Sequence, residues 1–409
     1  MRETVFLIKT KREPSVKDIE RAVSKLLDMM EENRKGLFDR GTTILIKPNV
    51  TMGSPWTTGT TTCPYVVSSV AKWCLKRGAG DVIVGEGSMI GVDTMEAFKA
   101  CGFDTLAEEV GFGLIDLNKE PTVRVGVPDG LVTKELYINK KVLDVDFVVD
   151  IAKLKTHILT LVTLGMKNMK GVLPHKEKRR LHFIGLERGI VDLISVVRPN
   201  LTIIEGIIGQ EGLGPLSGDP VEMDLLIGGF NVVETDAIGS YVMGIDPKEV
   251  LHLKLANERG LGEINIEYVK VYGERIEDVK RRFKRPPTSV EEEYPGVRII
   301  NGDACSGCIG AIMVALKRMK DSHELDKLIE TYNELTILVG PRASLPRNVK
   351  GIVVLCGKCL LRLQKRGIFI PGCPPQGLLI RDVLRMKIGL KPLYIDKTIL
   401  EEAREVYGS

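Results

Sequence analysis

Five cysteines in the last quarter of the chain stand at spacings that suit metal chemistry. Cys305 and Cys308 lie in GDACSGCIG, Cys356 and Cys359 in VVLCGKCLL, and Cys373 in FIPGCPPQG. Each CxxC follows a strand-like run and opens a helix-like one, so two sulfurs point into one space. The free N–H groups and dipole of a helix start favour thiolate there. Thiolate is the form that binds iron–sulfur clusters and zinc. Five sulfurs where closed zinc needs four, and a Cys followed by Pro, lean towards a [4Fe–4S] cluster held by Cys305, Cys308, Cys356 and Cys373. Cys359 is then a near-cluster spare. Two readings compete: a structural four-cysteine zinc site, and two thioredoxin-like redox pairs, though neither pair has the usual aromatic neighbour. Cys63, Cys74 and Cys101 are dispersed and read as small core residues.

A second constellation lies in KLKTHILTLVTLGMKNMKGVLPHKEKRRLH, residues 153–182, which holds three of the five histidines: His157, His175 and His182. Lys153, Lys155 and His157 alternate, so an extended strand places all three on one face. Lys167, Asn168, Lys170 and Lys176 follow, interleaved with Thr160 and Thr163. A charge run is usually a solvated surface. This one abuts the apolar run FVVDI and reads as an anion pocket, with His157 or His175 as proton donor because histidine titrates near neutral pH.

Other polar loops support such a pocket. Lys47 and Asn49 end a buried strand, at the edge where α/β sheets bind ligands. Thr61 and Thr62 precede Cys63-Pro64 at a helix start, an anion site or a plain capped helix. Gly85-Glu86-Gly87-Ser88 is a weaker strand-end signal. The segment 205–220 is glycine-rich, and Gly212 and Gly214 would bring backbone close to a ligand, unless the loop is simply mobile. Asp236 reads as a helix cap or as part of the same cleft. No GxxxxGK[ST] occurs, nor a GxGxxG between strand and helix, so a nucleotide is not expected.

These residues need a frame to hold them. From Thr4 to about Tyr272, short β-branched runs alternate with helical patterns, which predicts an α/β domain with a mostly parallel sheet. Strands are expected at Thr43–Lys47, Asp81–Val84, Phe147–Ile151, Leu201–Ile204 and Asp224–Ile227. Residues 276–296 are charged and carry Pro-Pro, so they read as a linker between a domain at 1–275 and a smaller α/β cysteine domain at 297–409. Strand, CxxC and helix are expected twice in that second domain. The chain has 409 residues, 44% hydrophobic and 27% charged, ordinary for a globular protein. A net charge of +4 and 5% aromatics give no footprint for nucleic acid. No secretory segment or run of eighteen apolar residues is visible, so a cytoplasmic protein without a membrane span is expected. In that reducing compartment, paired cysteines point to metal or redox chemistry rather than disulfides.

Over residues 40–245 the chain resembles the domain of unknown function 362 family. The resemblance rests on Lys47-x-Asn49, the Thr-Thr-Cys-Pro loop, GAGDVIVGEGS, KLKTH, Thr163 with Lys167-Asn168-x-x-Gly171 and His175, GLGPLSG, and ETDA with the following Met-Gly. Glu205-Gly206 stands where Asp-Gly would be expected. The resemblance implies an α/β fold and an association with iron–sulfur proteins, but no agreed reaction. Members often carry ferredoxin-like domains, whereas this chain lacks their CxxCxxCxxxCP run. PGCPP is similar to the loop bearing the last cluster ligand in the small subunits of complex I and nickel–iron hydrogenases. The expected function is an iron–sulfur oxidoreductase acting on an anionic substrate or cofactor in the Lys/His-rich cleft, with a redox partner protein. The alternatives are a non-redox enzyme or anion-binding protein with structural zinc, and a cluster carrier.

Overall fold

The computed structural model describes residues 4–287 and 290–394. Residues 1–3, 288–289 and 395–409 lie outside it, and with them part of the expected linker and the end of the expected second domain. The chain divides into two compact units, Met1–Pro286 and Pro287–Ser409. The charged stretch after Tyr272 is not a bare connection throughout. Val279 and Phe283 are buried in the core of the first unit.

The first unit is built on strands β1 (Thr4–Lys9), β2 (Thr43–Lys47), β3 (Asp81–Glu86), β4 (Gly113–Asp116), β5 (Thr122–Gly126), β6 (Glu135–Asn139), β7 (Phe147–His157), β8 (Leu161–Thr163), β9 (Leu201–Glu211), β10 (Asp219–Gly229) and β11 (Lys270–Gly273). Nine of them form one sheet in the order β11-β1-β10-β9-β7-β2-β3-β4, with β8 paired to β7; β5 and β6 make a separate hairpin. The pairs β9-β7, β7-β2, β2-β3, β3-β4 and β1-β11 are parallel, and β10 runs antiparallel to both β1 and β9. The sheet is therefore mostly parallel, as the β-branched runs predict.

Helices cover both faces, and their sequences explain why they form. Val16–Arg34 starts at a Ser15/Asp18 capping box and buries Ile19, Ala22, Val23, Leu26, Leu27 and Met30, an i, i+3/i+4 stripe. It packs with helix Pro64–Lys76 on one face, among Ile44, Ile46, Val149 and Ile203. The opposite face buries Leu45, Ala152, Leu154 and Ile204 beneath helices Leu186–Val196 and Val232–Val242.

Three strands outrun their apolar cores. β7 continues past Ile151 to His157 and is buried along its whole length. β9 and β10 each run for 11 residues and pair from Asp219↔Glu211 to Gly229↔Thr202. The expected glycine-rich loop at 205–220 is thereby corrected: Glu205–Glu211 is strand, and only residues 212–218 form the turn. Glycine serves close backbone approach here. A Cβ on Gly206 would stand 2.8 Å from Leu154 Cδ2, and one on Gly209 would stand 2.8 Å from the Leu154 carbonyl oxygen.

The second unit holds β12 (Val297–Asn301), β13 (Leu335–Val339), β14 (Ile352–Cys356) and β15 (Ile368–Ile370), all parallel and in that order. Helix Ser306–Asp321 follows β12, and Arg381 of helix Gly377–Lys387 bonds Glu324 at the start of helix Glu324–Tyr332 through both carboxylate oxygens. The helix expected after the second CxxC is instead a 3-10 segment, Lys358–Arg366. Its start is tied by Gly357 N–H to the Ile370 carbonyl and by Lys358 N–H to that of Gly372. That pins a short crossover to β15, where the longer rise of a 3-10 coil spans the gap in few residues.

Candidate functional sites: a buried lysine cluster and a cysteine edge

The C-terminal ends of β2, β3 and β7 lie side by side and carry Lys47, Glu86 and the stretch Lys153–His157. Lys47 is fully buried and lies 3.0 Å from both Glu86 carboxylate oxygens. It also donates to the Pro48 carbonyl and to Asn168 Oδ1. Gly171 closes over this pair so tightly that a Cβ there would collide with Glu86 Oε1. Lys153 donates to Glu205 Oε2 at 2.5 Å, both side chains wholly buried, and the same oxygen accepts from Cys63 N–H. The anion at the start of helix Pro64–Lys76 is thus the chain's own Glu205. The expectation of an open anion site at the threonine loop is corrected accordingly. Thr62 accepts from Asn49 N–H and donates to the Ile151 carbonyl, and Thr61 faces the Met52 carbonyl. Both hydroxyls fasten backbone.

Asn49 and Asn168 are joined at 2.7 Å, and Asn168 also donates to Asp150 Oδ1. Burial drives the Asp150 carboxyl well above the usual range, against the opposing charge of Lys47. Asp236 receives Gly165 N–H and Met166 N–H, and burial pushes it up to about 8. It thus serves the start of the short helix Gly165–Asn168 and not its own helix, Val232–Val242, which Asn231 caps, and the expected cap is corrected to that extent. Lys167 therefore sits between two anchored neighbours.

Outside this paired layer lies a group of cations. Lys155 donates to Asn49 Oδ1, the Thr60 carbonyl and, at 3.4 Å, the Pro215 carbonyl. Burial, then the charge of Lys153, lowers it to about 7. Burial and Lys155 lower Lys167 to about 7, against the pull of Glu187. Lys167 is 9% exposed, and its ammonium has no hydrogen-bond partner among the described residues. Lys170 Nζ lies 2.7 Å from His182 Nε2, and burial holds both well below their ordinary values. With Glu86 and Glu205 already paired to Lys47 and Lys153, this outer group is a set of amines that burial pushes towards the neutral form and that an arriving anion would draw back to the charged one.

The two expected proton donors behave differently from expectation. His157 Nδ1 accepts from Leu159 N–H, which leaves the ring proton on Nε2. Burial, then Lys167 and Lys170, drive His157 well below its usual value. It is a neutral hydrogen-bond donor near pH 7, not an imidazolium. His175 opens helix His175–Ile184; burial, Lys178 and Arg179 lower it, and its buried Nδ1 lacks a partner among the described residues. Gly214 presses onto β7, where a Cβ would meet the Thr156 carbonyl, and Gly212 N–H donates to the Lys284 carbonyl. These two glycines bring backbone against the chain itself.

Sequence reasoning passed over Lys178, whose Nζ donates to the Gly87 carbonyl and Asn118 Oδ1, and which burial lowers to about 7. It also passed over Glu187 and over His252, which is fully buried, 3.4 Å from Glu187 Oε1 and unpartnered at Nε2 among the described residues. One signal was present: His252 stands between Leu251 and Leu253 on helix Leu251–Glu258.

In the second unit the five cysteines collect at the C-terminal edge of the parallel sheet. Cys305 is the N-cap of helix Ser306–Asp321, its Sγ is 3.8 Å from that of Cys308, and the hydrogen bond between the two lowers it to about 6. Cys356 ends β14, and burial raises it to about 12. Between the cysteines of the second pair, Gly357 at φ +103° leaves a gap. A Cβ there would lie 3.5 Å from Cys359 Sγ and 3.6 Å from Cys308 Sγ. Cys373 follows β15 and lies close enough to Cys359 to raise it, after burial and Cys305. Among the described residues, no group of three or more His, Cys, Asp and Glu is already arranged to hold a metal ion.

Residues 44–241 match the model of the family described as domain of unknown function (DUF362). The thylakoid-associated protein sll1697 of Synechocystis sp. is 26% identical over 271 residues, which is 64% of this chain and 81% of that protein. The lactate racemase apoprotein of Thermoanaerobacterium thermosaccharolyticum aligns over 99% of this chain and 90% of its own, at 10% identity and a TM-score of 0.43. A Thermotoga maritima protein aligns over 61% of this chain at 14% identity and a TM-score of 0.38. The chain spans 60% of that protein, less than two thirds of it. Among the described residues, no helix is long and apolar enough to cross a membrane.

Proposed function

We propose that this chain, with its DUF362 match at residues 44–241, is an iron–sulfur protein of redox function whose large unit binds an anionic small molecule. The observation that carries the metal half is the gathering of five cysteines, from three strand ends, at one sheet edge. The residues fit a thiolate-bound group: Cys305 is lowered at a helix start, and Cys308 and Cys359 border one gap beside Gly357. Cys305, Cys308, Cys356 and Cys373 would hold a [4Fe–4S] cluster, with Cys359 the spare. When bound, such a cluster supplies one electron at a time.

In the large unit, Lys155 and the Asn49–Asn168–Asp150 chain make a rigid floor, and Lys167 and Lys170 meet the anion, which draws their amines into the charged form. His157 donates its Nε2–H, and the paired Lys47–Glu86 and Lys153–Glu205 hold the strand ends in register. A cytoplasmic setting, where thiols stay reduced, suits the cysteine edge.

Anaerobic purification with iron, sulfide and zinc analysis tests this reading. About four irons and matching sulfide per chain, with a broad visible charge-transfer band, support it. Colourless protein with one zinc supports a second reading, a structural zinc site. The 3.8 Å between Cys305 and Cys308 favours that alternative, since it equals the edge of a tetrahedron of sulfurs about 2.3 Å from one ion.

A further inference from the structure

We propose that Lys167 is an amine nucleophile that forms a Schiff base with a small carboxylate bearing an adjacent carbonyl, a 2-oxo acid. The proposal deepens the anion-binding reading of the cleft and rests on it.

The cluster's other lysines are already committed. Lys47 and Lys153 are tied to carboxylates, Lys155 and Lys178 to carbonyl and amide oxygens, and Lys170 to His182. Lys167 is buried like its neighbours, yet has no partner among the described residues. Most of the Lys167 side chain is out of water, which disfavours its charged form relative to the free amine. Burial and the charge of Lys155 both act towards the free amine, the arrangement that activates lysine nucleophiles.

Its backbone is set for precise work. Met166 N–H is held by Asp236, and the Asn168 side chain is held from three sides by Lys47, Asn49 and Asp150. Among the described residues no hydrogen bond holds the side chain between these anchors, and Glu187 acts on it through charge alone. Around it, His157, with its proton on Nε2, and the Lys170–His182 pair stand close enough for the Lys167 charge to act on both histidines. These groups can receive a carboxylate and donate to the oxygen of a carbonyl under attack.

The chemistry balances without an oxidant or reductant. The Nζ lone pair forms a C–N bond to the carbonyl carbon, and the C–O π electrons move to oxygen, which takes up a proton as the nitrogen releases one. The carbinolamine then loses that oxygen as water together with hydrogen from nitrogen, leaving C=N. One further proton makes the iminium.

The full chain is incubated with pyruvate near pH 7 and sodium cyanoborohydride, which reduces an imine to a stable secondary amine, and the adduct is mapped by peptide mass spectrometry. Saturable labelling of Lys167, competed by oxalate, is the expected result. K167R, which keeps the cation but not the nucleophile, should lose that adduct, while K170M should need roughly tenfold more pyruvate. Labelling centred on another lysine, or unchanged in K167R, overturns the proposal. Calorimetry separates the Schiff base from the binding site beneath it. If pyruvate and oxalate bind but Lys167 stays unmodified, only the Schiff base fails. If neither binds, the anion-binding reading fails with it.

Discussion

Glu205→Gln removes one charge from a pair that is wholly shielded from water. Glu205 holds Lys153 at 2.5 Å and accepts from two backbone N–H groups, of Cys63 and Ile207. Glutamine keeps the shape and can still accept, but its NH2 now faces a buried ammonium. Breaking a buried pair by removing one partner costs about 3–5 kcal/mol, because the other charge is left uncompensated. Unfolding entropy of about 2.1 cal/mol/K per residue, taken over the unit Met1–Pro286, comes to about 0.6 kcal/mol/K. The thermal midpoint of that unit should therefore fall by about 5–8 °C in differential scanning calorimetry. The double variant Lys153→Met, Glu205→Gln should recover most of the loss, since it removes the uncompensated ammonium while glutamine keeps an acceptor for the backbone N–H groups. A drop below about 2 °C for the single variant, or a double variant as unstable as the sum of the singles, would refute the reasoning.

Gly171→Ala should destabilise by about 1–3 kcal/mol, read from the urea midpoint, because the new methyl meets Glu86 Oε1 and Lys47 Cε with no room on either side. Oxalate affinity, followed calorimetrically, should be flat below pH 7 and fall as pH rises above it. Lys167 loses its charge at about 7 in the free protein, and above that pH a bound anion must draw the proton back onto the amine; a pH-independent affinity would remove Lys167 from the site. Asp236 is raised from 3.8 to about 8, so the stability it contributes at low pH is lost as pH climbs between those values. The denaturation midpoint of Asp236→Asn should accordingly gain on the wild type from pH 5 to pH 8, and a constant offset would contradict this. Replacing Cys305, Cys308, Cys356 or Cys373 by Ser should abolish bound iron, while Cys359→Ser should retain it; equal loss in Cys359→Ser would end its assignment as the spare.

Much of this protein was decided by local pattern. β-Branched runs broken by helical stripes specify strands and helices through periodicity alone, so β2, β3 and the apolar starts of β7 and β9 were legible. The alternation of Lys153, Lys155 and His157 required one strand face, and each CxxC after an apolar run required a sheet edge. Charge accounting is different in kind. Lys47 and Lys167 read alike in sequence, yet Lys47 meets Glu86 and Lys153 meets Glu205, 39 and 52 residues away along the chain, while Lys167 meets neither acid. Which lysine is neutralised and which is left to bind depends on distances through space that no spacing encodes. The same holds for Glu205, whose carboxylate occupies the helix start where the threonine loop suggested room for a ligand. It holds too for residues 205–211, whose glycines resemble loop until β10 pairs with them. Tertiary structure decided these points because electrostatic and hydrogen-bond energies depend on separation and burial, and folding is what sets both.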